Sequence, residues 1–166
     1  MNGYKFLRAG SVGPFTGFRW EPGCWVEAAD VVPCERGVHA CRVDDLPFWT
    51  NDELWEIELG GDVAAVGRKL VAPRGRLVRR IDAWTASASQ DLGDASAARA
   101  RAIADARPDD VMARAYAEDA EHRADQGRSH VATFIAAFAA EHAGGSEGRD
   151  AERAAQADWF RALLAV

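Results

Sequence analysis

No run of apolar residues in this chain approaches the ~20 that a membrane-spanning helix needs, and the opening residues, MNGYKFLRAG, hold no hydrophobic signal core. The expected location is the cytoplasm, with no membrane partner. Cysteine is scarce: three occur in 166 residues, an odd number that argues for reduced thiols rather than a disulfide framework. The paired C-x2-C knuckles of structural zinc sites are missing, and no internal repeat is present. Positive charge is not in excess either. With 20 basic and 26 acidic residues the formal net charge is −6, which argues against nucleic acid as a partner.

What is present is the composition of an ordinary soluble globular domain, 48% hydrophobic and 28% charged. A chain of this length buries roughly two thirds of the surface its unfolded form exposes, so its core requires neither disulfide nor metal. Composition changes sharply near Trp84. The residues up to Trp84 hold five of the six tryptophans, all three cysteines and five of the six prolines, whereas the 82 residues from Thr85 contain 26 alanines. Alanine at that density is a helix-forming signal. The acidity follows the same division, at −1 before the boundary and −5 after it. The expectation is an α+β fold: one domain over residues 1–166, with a mostly antiparallel N-terminal sheet (1–84) covered by alanine-rich C-terminal helices (85–166).

Short strands are expected at Tyr4 to Arg8, Phe18 to Trp20, Cys24 to Glu27, Val38 to Cys41, Leu54 to Leu59, Gly67 to Ala72 and Arg76 to Asp82. Leu54 to Leu59 alternates, with Trp55, Ile57 and Leu59 on one face and Glu56 and Glu58 on the other. Ala72-Pro73-Arg74-Gly75 reads as the turn of a hairpin, and Asp44 to Trp49 as a short helix or turn. In the second half, helices are expected at Ser96 to Ala106, from Pro108-Asp109-Asp110 onward, from a Ser129 cap through Val131, Phe134, Ile135 and Phe138 as a core face, and at Asp150 to Leu164. Ala143 to Gly148 should break the last two apart.

The chemistry-bearing stretch is Cys34-Glu35-Arg36-Gly37-Val38-His39-Ala40-Cys41. On a strand, His39 and Cys41 project to one face, ~7 Å apart along the backbone, while Val38 and Ala40 project to the other. Four readings stay open. The cysteines are small buried hydrophobes and His39 bonds a backbone carbonyl; Cys24, Cys34, His39 and Cys41 bind zinc; His39 activates Cys41 or Cys34 as a thiolate nucleophile; or His39 is a hydrogen-bonding group in a ligand pocket.

Glu56 and Glu58 form a second constellation, either an acid/base pair in a partly dry cleft or solvated strand residues. A third is six cations within residues 68–80, Arg68, Lys69, Arg74, Arg76, Arg79 and Arg80. They could meet phosphates, or they could pair across strands with Glu56 and Glu58. His122, His130 and His142 occupy no ligand spacing and read as solvated.

The order Tyr4-Lys5, Gly17-Phe18-Arg19-Trp20, Gly23-Cys24-Trp25, residues 34–41, Leu54 to Gly60 and Lys69-Leu70-Val71-Ala72 resembles a group of uncharacterised bacterial and phage domains sharing a C-x-x-G-[FV]-H-A-C signature. That resemblance implies no activity. A fainter likeness is to ADP-ribosyltransferases, which would imply NAD as cofactor with Arg8, Glu56 and Glu58 at the site; no Ser-Thr-Ser motif accompanies them. The functional expectation is a module that binds a small molecule or peptide in a sheet pocket lined by His39 and Cys41 and rimmed by Trp20, Trp25, Trp49 and Trp55. The alternative is an enzyme, using His39 with Cys41, or Arg8 with Glu56 and Glu58.

Overall fold

The alternation in residues 54–59 is realised in a strand whose inward residues Trp55, Ile57 and Leu59 are buried while Glu56 and Glu58 stay partly exposed. The structure, a computed structural model, describes residues 1–32 and 35–166. Its described elements are β1 (Asn2–Leu7), β2 (Val26–Glu27), β3 (Val38–Ala40), a 3-10 helix (Val43–Phe48), β4 (Glu53–Gly60), β5 (Ala64–Val66), β6 (Lys69–Ala72), β7 (Arg74–Arg80), α1 (Ala86–Asp105), α2 (Val111–Asp125) and α3 (Ser129–Leu164). Antiparallel strands are followed by helices, an α+β order. The chain divides into two compact units, Met1–Trp84 and Thr85–Val166, at the position where the composition changes.

In the first unit one sheet has the order β1-β4-β7-β2 and the other β3-β6-β5, with every pairing antiparallel. Tyr4 and Cys41 exchange backbone hydrogen bonds of 2.9 and 2.8 Å, tying β1 to the end of β3. Leu7, Trp20, Val38, Ala40, Trp55, Ile57, Leu59, Leu70, Ala72 and Leu77 form one buried cluster. Full burial of a Leu or Ile side chain contributes about 1.5–3 kcal/mol.

The expected hairpin at residues 72–75 does not form. β6 pairs with β3 and β5, and β7 pairs with β4 and β2, so the chain passes from one sheet to the other at Pro73. Proline has no N–H to give a ladder, and Gly75 packs so closely that a Cβ there would lie 2.7 Å from Val38 Cγ1. The hairpin lies one strand earlier, where β5 and β6 turn through Gly67 and Arg68 with Gly67 at φ 55°. The expected strand at Phe18 to Trp20 is reduced to an isolated bridge between Val12 and Arg19.

The helical unit is built on alanine. Ala97, Ala100 and Ala104 of α1, Ala113, Ala117, Ala120 and Ala124 of α2, and Ala132, Ala136 and Ala139 of α3 form its buried seam with Ile135. Their three- and four-residue spacing puts them on one face of each helix. Phe138, expected in the core, is 44% exposed, because small residues hold the positions where the helices approach. α1 begins ten residues earlier than its expected start, capped by the Thr85 hydroxyl, which accepts from the Ala88 N–H at 3.0 Å. Asp110 caps α2. Ser129 does not cap α3: Arg128 holds that position, and Ser129 packs against Gly93. The expected break falls at Gly144 and Gly145, which leave helical geometry at φ −139° and φ 64°.

Candidate functional site

β3 sends Val38 and Ala40 into the core, so strand alternation places His39 on the other face of the β3-β6-β5 sheet, where Val71 beside it is fully buried. His39 is in register with Val71, and two residues back along β6 Lys69 occupies the same face. The Lys69 ammonium stands 4.8 Å from the Trp49 ring centroid, the Arg68 guanidinium 3.6 Å from that of Phe48, and the Trp49 indole N–H donates to the Arg68 carbonyl at 3.2 Å. His39 is half-buried. Its Nε2 is shielded from solvent and has no hydrogen-bond partner. Burial lowers the imidazole pKa, the Lys5 and Lys69 charges lower it further, and a backbone hydrogen bond to Gly37 opposes them. The ring is therefore neutral at pH 7.

Cys41 lies at the end of β3, buried, and its thiol donates to the Tyr4 carbonyl at 3.5 Å. Burial pushes the thiol pKa up to about 12, with the Asp45 carboxylate adding to the rise and Lys5 and Arg42 opposing it. The low-dielectric surroundings thus hold the Cys41 sulfur protonated at neutral pH. Cys24 is exposed and free. Cys34 lies outside the described residues, and among those described no group of three or more His, Cys, Asp or Glu is placed to hold a metal.

Glu56 and Glu58 are neighbours on the opposite sheet, each reached by an arginine of β7. Arg76 Nε donates to Glu58 at 2.8 Å and Arg79 to Glu56 at 3.3 Å, while Asn2 also donates to Glu56 at 3.3 Å. They are cross-strand partners of cations, the pairing that the cations of residues 68–80 left open in the sequence. Arg8 is exposed at the end of β1, where its backbone bridges Val12.

The four tryptophans do not rim one pocket. Trp20 and Trp55 are core residues, and the Trp55 indole donates to Glu53 at 2.9 Å. Trp25, 39% exposed, has the Arg74 and Arg76 guanidinium groups 4.9 and 5.0 Å from its ring centroid. Only Trp49 stands beside Lys69. His142, read as solvated, instead approaches both carboxylate oxygens of Asp110 at 3.0 and 2.9 Å.

One residue near the site is expected on a strand from the sequence but carries no role at the site there. Lys5 shares the inner face of β1 with Leu7, opposite Trp55, and its ammonium lies 5.1 Å from the Trp20 ring centroid. The available signal was a charged residue in alternation with an apolar one on a half-buried strand.

No transmembrane-length apolar helix occurs among the described residues. Comparison with known protein families, with curated proteins and with solved structures finds no match to the chain.

Proposed function

We propose that the chain is a cytoplasmic binding module whose N-terminal unit takes a small molecule or peptide bearing a carboxylate or phosphate group, at His39, Lys69, Arg68 and Trp49. The observation that carries this reading is the distribution of acids. Arg76, Arg79 and Arg80 each reach a glutamate, and Arg42, which donates to the Gly67 carbonyl at the β5–β6 turn, reaches Asp45, whereas Lys5, Arg68 and Lys69 have no carboxylate partner among the described residues. In a chain of net charge −6, three cations over aromatic rings that no carboxylate pairs with are a local positive field, and such a field favours an anion. Binding is favoured over catalysis because Cys41 is held as a thiol and the paired glutamates are engaged by arginines.

Titrating the intact chain with inorganic phosphate and with N-acetylglutamate, and reading amide and indole NMR signals, tests the proposal. Trp49 Nε1–H and the amides of residues 39 and 69 should shift, with glycerol as a neutral control giving no such response. Lys69→Ala should weaken the response. An anion beside His39 offsets the two ammonium charges and raises its pKa, so proton uptake accompanies binding and affinity should rise as pH falls through that raised value. Equal shifts with glycerol, or silence at Trp49 and His39, would contradict the reading.

A further inference from the structure

The helical unit contains a groove of about 440 Å³, set against α1 and the break in α3. This volume is in the range of sites for small organic molecules. Its walls are largely methyl groups, from Ala102, Ile103, Ala140, Ala143, Ala151 and Ala155. The break explains why space remains: Gly144 and Gly145 leave helical geometry, and the chain returns so close that a Cβ on Gly148 would meet the Ala140 carbonyl. A straight helix with larger side chains would fill the same volume.

Two cations border the groove, and they differ in what holds them. Arg99 grips Glu152 through Nε at 2.7 Å and Nη2 at 2.9 Å, with Nη2 also on the Ser96 hydroxyl at 3.1 Å. Gln156 donates to the same carboxylate at 2.7 Å, so the buried Glu152 charge is balanced. Arg107 is different. One Nη donates to the Ala143 carbonyl at 3.1 Å, no carboxylate among the described residues reaches it, and a guanidinium carries five N–H donors. The groove therefore combines an apolar wall with one unspent cation at its border.

We infer that this groove is a ligand site for a small amphipathic carboxylate, its hydrocarbon part against the alanine methyl groups and its carboxylate on Arg107. Charge complementarity at Arg107 selects the acid, while the apolar wall selects against a fully polar anion. Octanoate is the probe, 1-octanol its uncharged counterpart and acetate its counterpart without the hydrocarbon. Methyl NMR spectra of the intact chain should show octanoate shifting Ile103 and the groove alanines at millimolar concentration, with octanol and acetate each several-fold weaker. Arg107→Ala removes a charge-assisted hydrogen bond and should weaken octanoate by about tenfold. Ala102→Leu narrows the groove from an exposed helical position that tolerates leucine and should weaken the shifts several-fold with the helical circular dichroism unchanged. Octanol matching octanoate, shifts confined to residues outside the groove, no response at millimolar octanoate, or unchanged affinity in both variants would each overturn the inference.

Discussion

Lys5 Nζ donates a 2.6 Å hydrogen bond to the carbonyl of His39, so a charged side chain on the inner face of β1 braces the strand that carries the candidate site. Burial pulls the Lys5 pKa down to about 8, against a weaker upward influence from Cys41. The unfolded chain then keeps a proton that the folded chain has released between about pH 8 and 10.5, and stability from this group rises with pH across that window. Burial first, and then Glu56, raise the Tyr4 pKa; stability from Tyr4 falls as pH climbs through the ordinary tyrosine value, so the two effects oppose. Urea midpoints at pH 8 and pH 10 for the wild type and Lys5→Met isolate the lysine: the wild type should gain relative to the variant as pH rises. Parallel pH profiles would show that Lys5 is solvated in the folded chain.

Cys41 and Cys24 should differ sharply toward iodoacetamide. Cys24 is exposed, while Cys41 is buried with its pKa up to about 12, and only a thiolate attacks. Native protein at pH 8 should lose Cys24 rapidly and keep Cys41 until denaturant is added, as followed by peptide mass spectrometry. Equal rates would mean that the β3 end opens on the labelling timescale, and would return the thiol to consideration as a reactive group.

The change of class at Trp84 was legible because propensity is local: 26 alanines in 82 residues speak for helix wherever the chain goes. So was β4, whose alternation reports a face. β5 was hidden, since Ala64, Ala65 and Val66 are too few to show a period, and its identity comes from pairing with β6. The first half of α1 was hidden for the opposite reason. Its Ser, Asp and Gly residues resemble a loop, and only their packing decides otherwise. At the site, alternation placed Val38 and Ala40 away from His39, whereas the surroundings of His39 depend on Lys5 and Lys69, which lie far from it in sequence. No local pattern encodes that meeting, nor the burial that silences the Cys41 thiol.

Glu53 is the anchor of the loop after β1. Its buried carboxylate accepts from Gly10 N–H at 2.9 Å, Ser11 N–H at 3.2 Å, the Ser11 hydroxyl at 3.3 Å and the Trp55 indole at 2.9 Å. Ser11 adopts φ 58°, in the left-handed region, and these bonds hold it there. Burial pushes the carboxyl pKa up, but the bonds from Trp55, Gly10 and Ser11 and the Arg80 charge outweigh it, leaving a net decrease. Its stability contribution is therefore present above the ordinary glutamate value and is lost as pH falls through the lowered one. Glu53→Ala strands several buried donors and should cost about 2–4 kcal/mol, while Glu53→Gln, which keeps the acceptor oxygen, should cost less. Chemical denaturation of both variants checks the order, and a cost below about 1 kcal/mol for Glu53→Ala would mean that water replaces the carboxylate.

Alanine in the helical seam is a packing requirement as well as a helix former, and the two roles separate by position. Ala117 is fully buried between neighbouring helices, whereas Ala115, on the same helix, is exposed. Leucine has nearly the propensity of alanine, so leucine at either position leaves the helix itself almost unaffected. At position 117 the added methylenes have no void to enter, and overpacking should cost about 1–3 kcal/mol. At position 115 the change should stay within about 0.5 kcal/mol. Urea unfolding followed at 222 nm on Ala117→Leu and Ala115→Leu distinguishes them. Equal midpoints would show that the α2 seam can spread to admit leucine, and the account of Phe138 being displaced outward by close helix approach would fail with it.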